Sequence, residues 1–354
     1  MTPHREHTNR IYIGTCPVGG GSPVSIQSMT NTATTDVKGT IAQIEKLEKA
    51  GCDIVRVSIP DEDSRKAFGK IKRVIRLPLI ADIHFDHRLA IGAIAEGADG
   101  IRINPGNIGG KERLKAVAKA AIEHKVPIRV GVNLGSVKRS LLAKYADDHV
   151  GALIENARQY VEMLEDMGVD SLKVSLKSSD VMETIDSYRR FSQVQSWPLH
   201  LGVTEAGPLL SGLIRSSVGI GTLLEEGIGD TIRISLSADP VQEVFAGKIL
   251  LECLGIRKEG VRVIACPTCA RSCADVAAIA FELEDALKNI RKHMVVAVMG
   301  CVVNGPGEAR IADLGVACDK KGAVLFSHGK PLRRIKTTDI VQTIVNELHK
   351  ENVS

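Results

Sequence analysis

The sequence predicts an α/β protein: a (β/α)8 barrel of the TIM type followed by a smaller α+β domain. Between residue 24 and about residue 254, short β-branched runs alternate with longer segments of helical period, the pattern of parallel strands joined by crossover helices. Eight such pairs follow one another, which suggests closure into a barrel. The 354 residues exceed one compact core and fall short of three, so a large and a small domain are expected, at 1–258 and 259–354.

The strands centre on Ser25, Val55, Ile80, Ile101, Val130, Val174, Leu201 and Ile232, with amphipathic stretches such as 40–50, 111–124 and 241–254 after them. A doubly wound open sheet would need a topological switch and usually a nucleotide loop. No Gly-x-Gly-x-x-Gly follows the first strand, and Gly19-Gly20-Gly21 precede a strand as a turn would.

Hydrophobic content of 44% and charged content of 25% describe a folded chain. A net charge of +4 with 3% aromatic residues does not furnish the basic, ring-studded surface of a nucleic-acid binder. The N-terminus is polar, and the longest apolar run, 294–303, is about half of the ~20 residues that span a bilayer, so a cytoplasmic protein without membrane contact is expected. In that compartment cysteines are reduced thiols or metal ligands. Cys16, Cys52 and Cys253 stand alone as small hydrophobes, whereas Cys266, Cys269, Cys273 and Cys301 share one region.

Residues two apart on a strand share a face, and barrel interiors normally carry aliphatic side chains there. Here Arg56 pairs with Ser58, Asp82 with His84, Arg102 with Asn104, Lys173 with Ser175 and Arg233 with Ser235, while Arg129 leads through Gly131 to Asn133. Their neighbours Val55, Val57, Ile83, Ile101, Ile103 and Ile232 are apolar and should face the helices. Five cations on five strands need compensating charge, because burying one alone is strongly unfavourable. Asp82 and Glu205 balance at most two, so an anionic substrate, a diphosphate, is inferred. Asp82, His84, Asn104, Asn133, Ser175 and Glu205 fall at the C-terminal strand ends, where barrel enzymes place their sites. Glu205 precedes an apolar helix and either caps it or transfers a proton.

In the small domain a strand over 261–265 leads to Cys266-Pro267-Thr268-Cys269 and a helix over 274–290; a second strand, 294–300, delivers Cys301. The loop from Val302 to Glu308 contains Asn304-Gly305-Pro306-Gly307, turn formers that bring Glu308 back toward Cys301. Short strands over 311–326 and a helix over 339–350 complete the domain. Three readings of the thiols compete: a redox dithiol, a structural zinc site and an iron–sulfur cluster. Three thiolates with a weaker carboxylate suit a cluster with one exchangeable iron. Cys273 either competes with Glu308 as fourth ligand or begins the helix unligated.

Several strings together resemble the (E)-4-hydroxy-3-methylbut-2-enyl diphosphate synthase family of the methylerythritol phosphate route to isoprenoids, over nearly the whole chain. They include Ser28-Met29-Thr30, Ala81-Asp82-Ile83-His84-Phe85-Asp86, Arg102-Ile103-Asn104-Pro105-Gly106-Asn107, Gly131-Val132-Asn133, Lys173-Val174-Ser175 and Thr204-Glu205-Ala206-Gly207. The others are Cys266-Pro267-Thr268-Cys269 and Gly300-Cys301-Val302-Val303-Asn304-Gly305-Pro306-Gly307-Glu308. The resemblance implies a [4Fe-4S] cluster held by Cys266, Cys269, Cys301 and Glu308 in a domain similar to the sulfite and nitrite reductase fold. It further implies a cyclic diphosphate held by Arg56, Arg102, Arg129, Lys173 and Arg233, and Glu205 as catalytic carboxylate. A homodimer and electrons from flavodoxin or ferredoxin are implied as well. Cys273 departs from the family pattern, which does not generally place a thiol there. Without the resemblance, two other readings stay open: a redox-silent phosphosugar enzyme with a zinc domain, and a non-catalytic iron–sulfur carrier.

Overall fold

Runs such as Ile54-Val55-Arg56-Val57-Ser58 and Leu79-Ile80-Ala81-Asp82-Ile83 favour extended backbone through their branched side chains, and in the computed structural model they pair as parallel strands. The structure describes residues 4–288, 290–301, 303, 307 and 312–351. It divides into two units, Met1–Arg257 and Lys258–Ser354.

The first unit opens with a hairpin, β1 (Ile11–Ile13) and β2 (Cys16–Val18). Eight parallel strands follow: β3 (Ser25–Met29), β4 (Ile54–Ser58), β5 (Leu79–Ile83), β6 (Gly100–Ile103), β7 (Ile128–Asn133), β8 (Leu172–Lys177), β9 (His200–Leu201) and β10 (Thr231–Ile232). Their spatial order is β8-β7-β6-β5-β4-β3-β10-β9, and a bridge between Val174 and Leu199 joins the two ends, closing the barrel that the sequence predicts. The crossover helices are α1 (Val37–Ala50), α2 (Glu62–Lys72), α3 (His87–Ala95), α4 (Lys111–His124), α5 (Arg139–Tyr145), α6 (His149–Asp166), α7 (Val181–Ser192), α8 (Leu209–Glu225) and α9 (Pro240–Cys253). Asp36, Asp61, Asp86, Asp148, Asp180 and Asp239 each cap a helix by accepting a backbone N–H of its first turn, a contribution of about 1 kcal/mol apiece. The hairpin and the short α5 are too brief for a periodic signal, and the sequence reading does not contain them; Ile11, Ile13 and Val18 of the hairpin are nevertheless buried in the barrel core.

The seam between β8 and β9 has little ladder of its own. Tyr188 of α7, fully buried, reinforces it: its hydroxyl donates to His200 O at 2.5 Å and accepts from Leu176 N–H at 3.1 Å. One phenol thus satisfies a buried backbone group on each side of the closure.

The second unit is a five-stranded sheet of β11 (Val261–Ala265), β12 (Met294–Met299), β13 (Leu314–Asp319), β14 (Gly322–Ser327) and β15 (Lys330–Ile335), in that order. The first two pairings are parallel and the last two antiparallel. Helix α10 (Val276–Leu287) and the C-terminal helix Ile340–Glu351 bury Val276, Leu283, Ile340 and Ile344 against Val296 and Val316. α10 is shorter than the expected 274–290 because Asp275 caps it by accepting from Ala278 N–H. The sequence reading also lacks β15, whose Lys330, Arg333 and Arg334 are exposed, as charged edge strands are. Among the described residues no helix is long and apolar enough to cross a membrane.

Replacing Tyr188 with Phe strands a buried N–H and a buried carbonyl. A loss of about 1–3 kcal/mol in barrel stability is expected, read by urea unfolding followed through the fluorescence of Trp197, the chain's single tryptophan.

Candidate active site

Alternation along β5 to β8 turns one residue in two toward the barrel axis, and the register then lines those residues up. Asp82, Arg102, Arg129 and Lys173 are direct partners on four successive strands. Side-by-side like charges are unfavourable in any sheet, and here Arg102, Arg129 and Lys173 are only 6%, 3% and 1% exposed. A protein does not carry such a row for stability.

Asp82 organises one end of it. Its carboxylate accepts from Arg102 Nη1 at 3.2 Å, pairs with Arg56 Nε at 3.5 Å and lies 3.5 Å from His84 Nε2. Burial alone would raise its pKa; Arg56, His84 and Arg102 outweigh that and hold it far below the usual carboxylate range. Arg56 is itself pressed down to about 10, chiefly by burial, with Asp82 opposing. Space for Arg102 comes from the next strand: a Cβ on Gly131 would lie 2.5 Å from Arg102 Nε, so a larger residue would have to displace the guanidinium. Arg129 Nε donates to Ser175 Oγ at 3.1 Å.

Arg233 stands one residue past β10, where its N–H still donates to Leu201 O at 3.0 Å. Glu243, in the first turn of α9 and 3% exposed, pairs with Arg233 at 3.3 Å and accepts from Ser28 Oγ at 3.0 Å and Leu236 N–H at 3.1 Å. The sequence reading did not find Glu243, because a helical residue shows no strand periodicity. It also passed over Lys177, 7% exposed, although Lys173-Ser175-Lys177 continues the inward alternation of β8. A Cβ on Gly202 would lie 3.0 Å from Lys177 Nζ, which places the amine against the backbone just after β9.

Asn104 is buried, its Oδ1 accepting from Gly106 N–H at 3.2 Å; Asn133 and Ser235 are half-buried, and His84 is exposed beside Phe85. Glu205 differs from expectation. It is exposed and does not balance the lumen, whose carboxylates are Asp82 and Glu243. It does not cap α8 either, since that helix starts at Leu209 after Pro208. Its φ of +54° is left-handed, a conformation that costs a non-glycine residue energy and that clusters at functional sites. His200, fully buried with Nδ1 2.7 Å from Thr231 Oγ1, has its pKa pushed well down by burial and by Arg129, Lys177 and Lys173, so its ring is neutral.

In the second unit, Cys266 follows β11 and Cys301 follows β12, so two adjacent parallel strands present thiols at the same edge. Gly300 N–H donates to Cys266 Sγ at 3.2 Å. The Cys269–Cys273 loop folds back onto the same point, with Cys273 N–H donating to Gly300 O at 2.8 Å. Gly300 is required there: a Cβ would meet Ser272 Oγ at 2.3 Å. Cys266 and Cys301 are half-buried, Cys269 and Cys273 exposed. Among the described residues no three His, Cys, Asp or Glu side chains are grouped to hold a metal ion, and Glu308 lies outside those residues. Thiols at neighbouring strand ends with a backbone N–H aimed at sulfur do suit a cluster, which spreads its ligands over four irons and is tuned by such amides.

Residues 8–248 match the family model of the GcpE TIM-barrel domain, and residues 262–350 match that of the GcpE protein C-terminal domain. The chain belongs to the GcpE family. It is 48% identical over 346 residues to a Thermodesulfovibrio yellowstonii protein named 4-hydroxy-3-methylbut-2-en-1-yl diphosphate synthase (flavodoxin), covering 98% of this chain and 99% of the relative. A Clostridium acetobutylicum protein of the same name is 51% identical over 344 residues, covering 97% and 99%. Among solved structures, a Xanthomonas albilineans dihydropteroate synthase superposes with a TM-score of 0.51 at 15% identity, covering 70% of this chain and 98% of that one. That likeness concerns the fold alone.

In this GcpE chain Asp82→Asn leaves two buried guanidiniums without their carboxylate. A loss of about 3–5 kcal/mol is expected in urea unfolding at neutral pH. Because the folded-state pKa of Asp82 is depressed, its contribution is complete above the ordinary carboxylate value and fades as pH falls. The gap between wild type and variant should therefore narrow below about pH 4.

Proposed function

We propose that this chain reduces 2-C-methyl-D-erythritol 2,4-cyclodiphosphate to (E)-4-hydroxy-3-methylbut-2-enyl diphosphate, a step of isoprenoid precursor synthesis. The ring opens and the hydroxyl oxygen leaves as water. The observation that carries this reading is the buried cationic lumen whose cations, among the described residues, form ion pairs with Asp82 and Glu243 alone, in a chain about 50% identical to relatives of that name.

Arg56, Arg102, Arg129, Lys173, Lys177 and Arg233 bind the diphosphate through charge-assisted hydrogen bonds. Asp82 and Glu243 hold Arg56, Arg102 and Arg233 in place before the ligand arrives, so little reorganisation is needed on binding. Asn104, Asn133, Ser175, Ser235 and His84 orient the uncharged part of the substrate. Glu205, exposed on its strained turn, serves as the catalytic carboxylate that delivers a proton to the departing oxygen.

Cys266, Cys269, Cys301 and Glu308 hold a [4Fe-4S] cluster. When bound, that group supplies the two electrons one at a time. Flavodoxin is the donor named by the relatives, with ferredoxin as the alternative. The working form is a homodimer in the cytoplasm; Leu210, Ile214 and Val218, exposed and four residues apart along α8, offer an apolar stripe for a second copy.

Anaerobic turnover of the cyclic diphosphate with a chemical reductant, followed by product identification, tests the whole reading; unchanged substrate from iron-loaded protein would refute it. Arg56→Ala should lower kcat/KM by about a hundredfold or more. Cys301→Ser should lose iron, sulfide and turnover together. Cys273→Ser should keep all three, since the Cys273 contact that shapes the loop is made by its backbone.

A further inference from the structure

The lumen holds more positive groups than its acids can balance. The guanidiniums of Arg56, Arg102, Arg129 and Arg233 and the amines of Lys173 and Lys177 share Asp82 and Glu243. Both carboxylates are already engaged, Asp82 by Arg56 and Arg102, Glu243 by Arg233 and Ser28. Arginine does not release its proton in a protein, whereas a buried lysine does so readily. The lysines are where a crowded lumen sheds charge.

Both lysines feel this, and the strongest charged neighbours of Lys177 are all cations. It is the last inward residue of β8 and lies in register with Asn133 of β7, an uncharged neighbour. From the elements around it come Arg129 of β7, Arg56 of β4, Arg233 beyond β10 and Arg102 of β6; after burial itself, these lower its pKa well below the ordinary lysine value. β9 contributes the neutral His200 and is followed by Gly202, so no charge of either sign comes from there. Lys173, by contrast, receives some compensation from Asp230.

We propose that Lys177 stands in the free cup as a neutral amine and takes a proton from solvent when the cyclic diphosphate enters, so that substrate binding and protonation are one event. The inference rests on the diphosphate reading of the cup. The ligand suits it: each phosphorus carries one ester oxygen and the bridging oxygen, leaving one strongly acidic oxygen, so two fixed negative charges arrive and the ligand does not titrate near neutrality. Those charges favour the ammonium form of Lys177. Only an N–H bond forms, at the expense of a buffer acid, and the added positive charge is in place before any electron arrives. Between the free and bound values of Lys177, binding takes up a proton and affinity falls as pH rises. Below the free value the amine is already charged, and the dependence disappears.

Calorimetric titration of the cyclic diphosphate into anaerobic holoenzyme without reductant, in buffers of different ionisation enthalpy, reads the effect directly. Over a series from about pH 6 to pH 10, proton uptake should rise toward about one per cup, and Kd should rise with pH by up to about tenfold per unit where uptake is greatest. Lys177→Arg keeps the charge without titrating, so it should bind with little proton uptake. Should the larger guanidinium crowd Gly202, Lys177→Met should bind more weakly and again take up little. Wild-type binding whose heat is the same in every buffer overturns the inference, as does uptake that survives in both variants. Absence of any binding overturns the diphosphate reading and this inference with it.

Discussion

The barrel depends on how a buried row of cations is tolerated. Taking an isolated charge out of water costs several kcal/mol even after relaxation, and the register of β6, β7 and β8 sets three of them side by side. Asp82 at one end and Glu243 at the other side of the lumen make the arrangement possible by pairing with Arg56, Arg102 and Arg233. Between them lie Arg129 and Lys177, which form no ion pair with a carboxylate among the described residues, and Lys173, which feels Asp230 without pairing with it, so the cavity is left short of negative charge. Such a site exchanges stability for a strong, preformed attraction to an anion.

The rest of the barrel supports that cup. Glycines at 131 and 202 open room for Arg102 and Lys177 where a side chain would collide. Asp caps start six of the crossover helices, and Tyr188 ties the strands that have the least ladder between them. The second unit follows the same economy at smaller scale: parallel strands end together, and the loops after β11 and β12 place thiols and a backbone N–H around one glycine, Gly300. In both units the candidate residues stand on or just after parallel strands, where side chains from separate stretches of chain converge.

Legibility in the sequence followed the range of each signal. The eight barrel strands were readable because β-branched runs recur at helix-length intervals, and Arg56, Asp82, Arg102, Arg129 and Lys173 because period-two alternation assigns a face without any partner. Lys177 obeyed the same rule and was passed over. Glu243 obeyed none that a strand pattern could reveal, since its role depends on α9 returning over β10. The carboxylate assigned to the lumen from sequence, Glu205, is exposed on a left-handed turn and forms no ion pair with the lumen cations. For the thiols, spacing alone left zinc, dithiol and cluster open, because which side chains converge on one centre is a property of the folded loops rather than of the spacing.

The residues by themselves therefore determined the alternation of strands and helices, the inward polar set and the clustering of cysteines, all properties of a few neighbouring positions. Only the tertiary structure decided which acid meets which cation, where the ring closes and which lysine is left without a counter-charge. Those outcomes turn on groups far apart in the chain, whose distances exist only once the barrel has closed and water has been excluded.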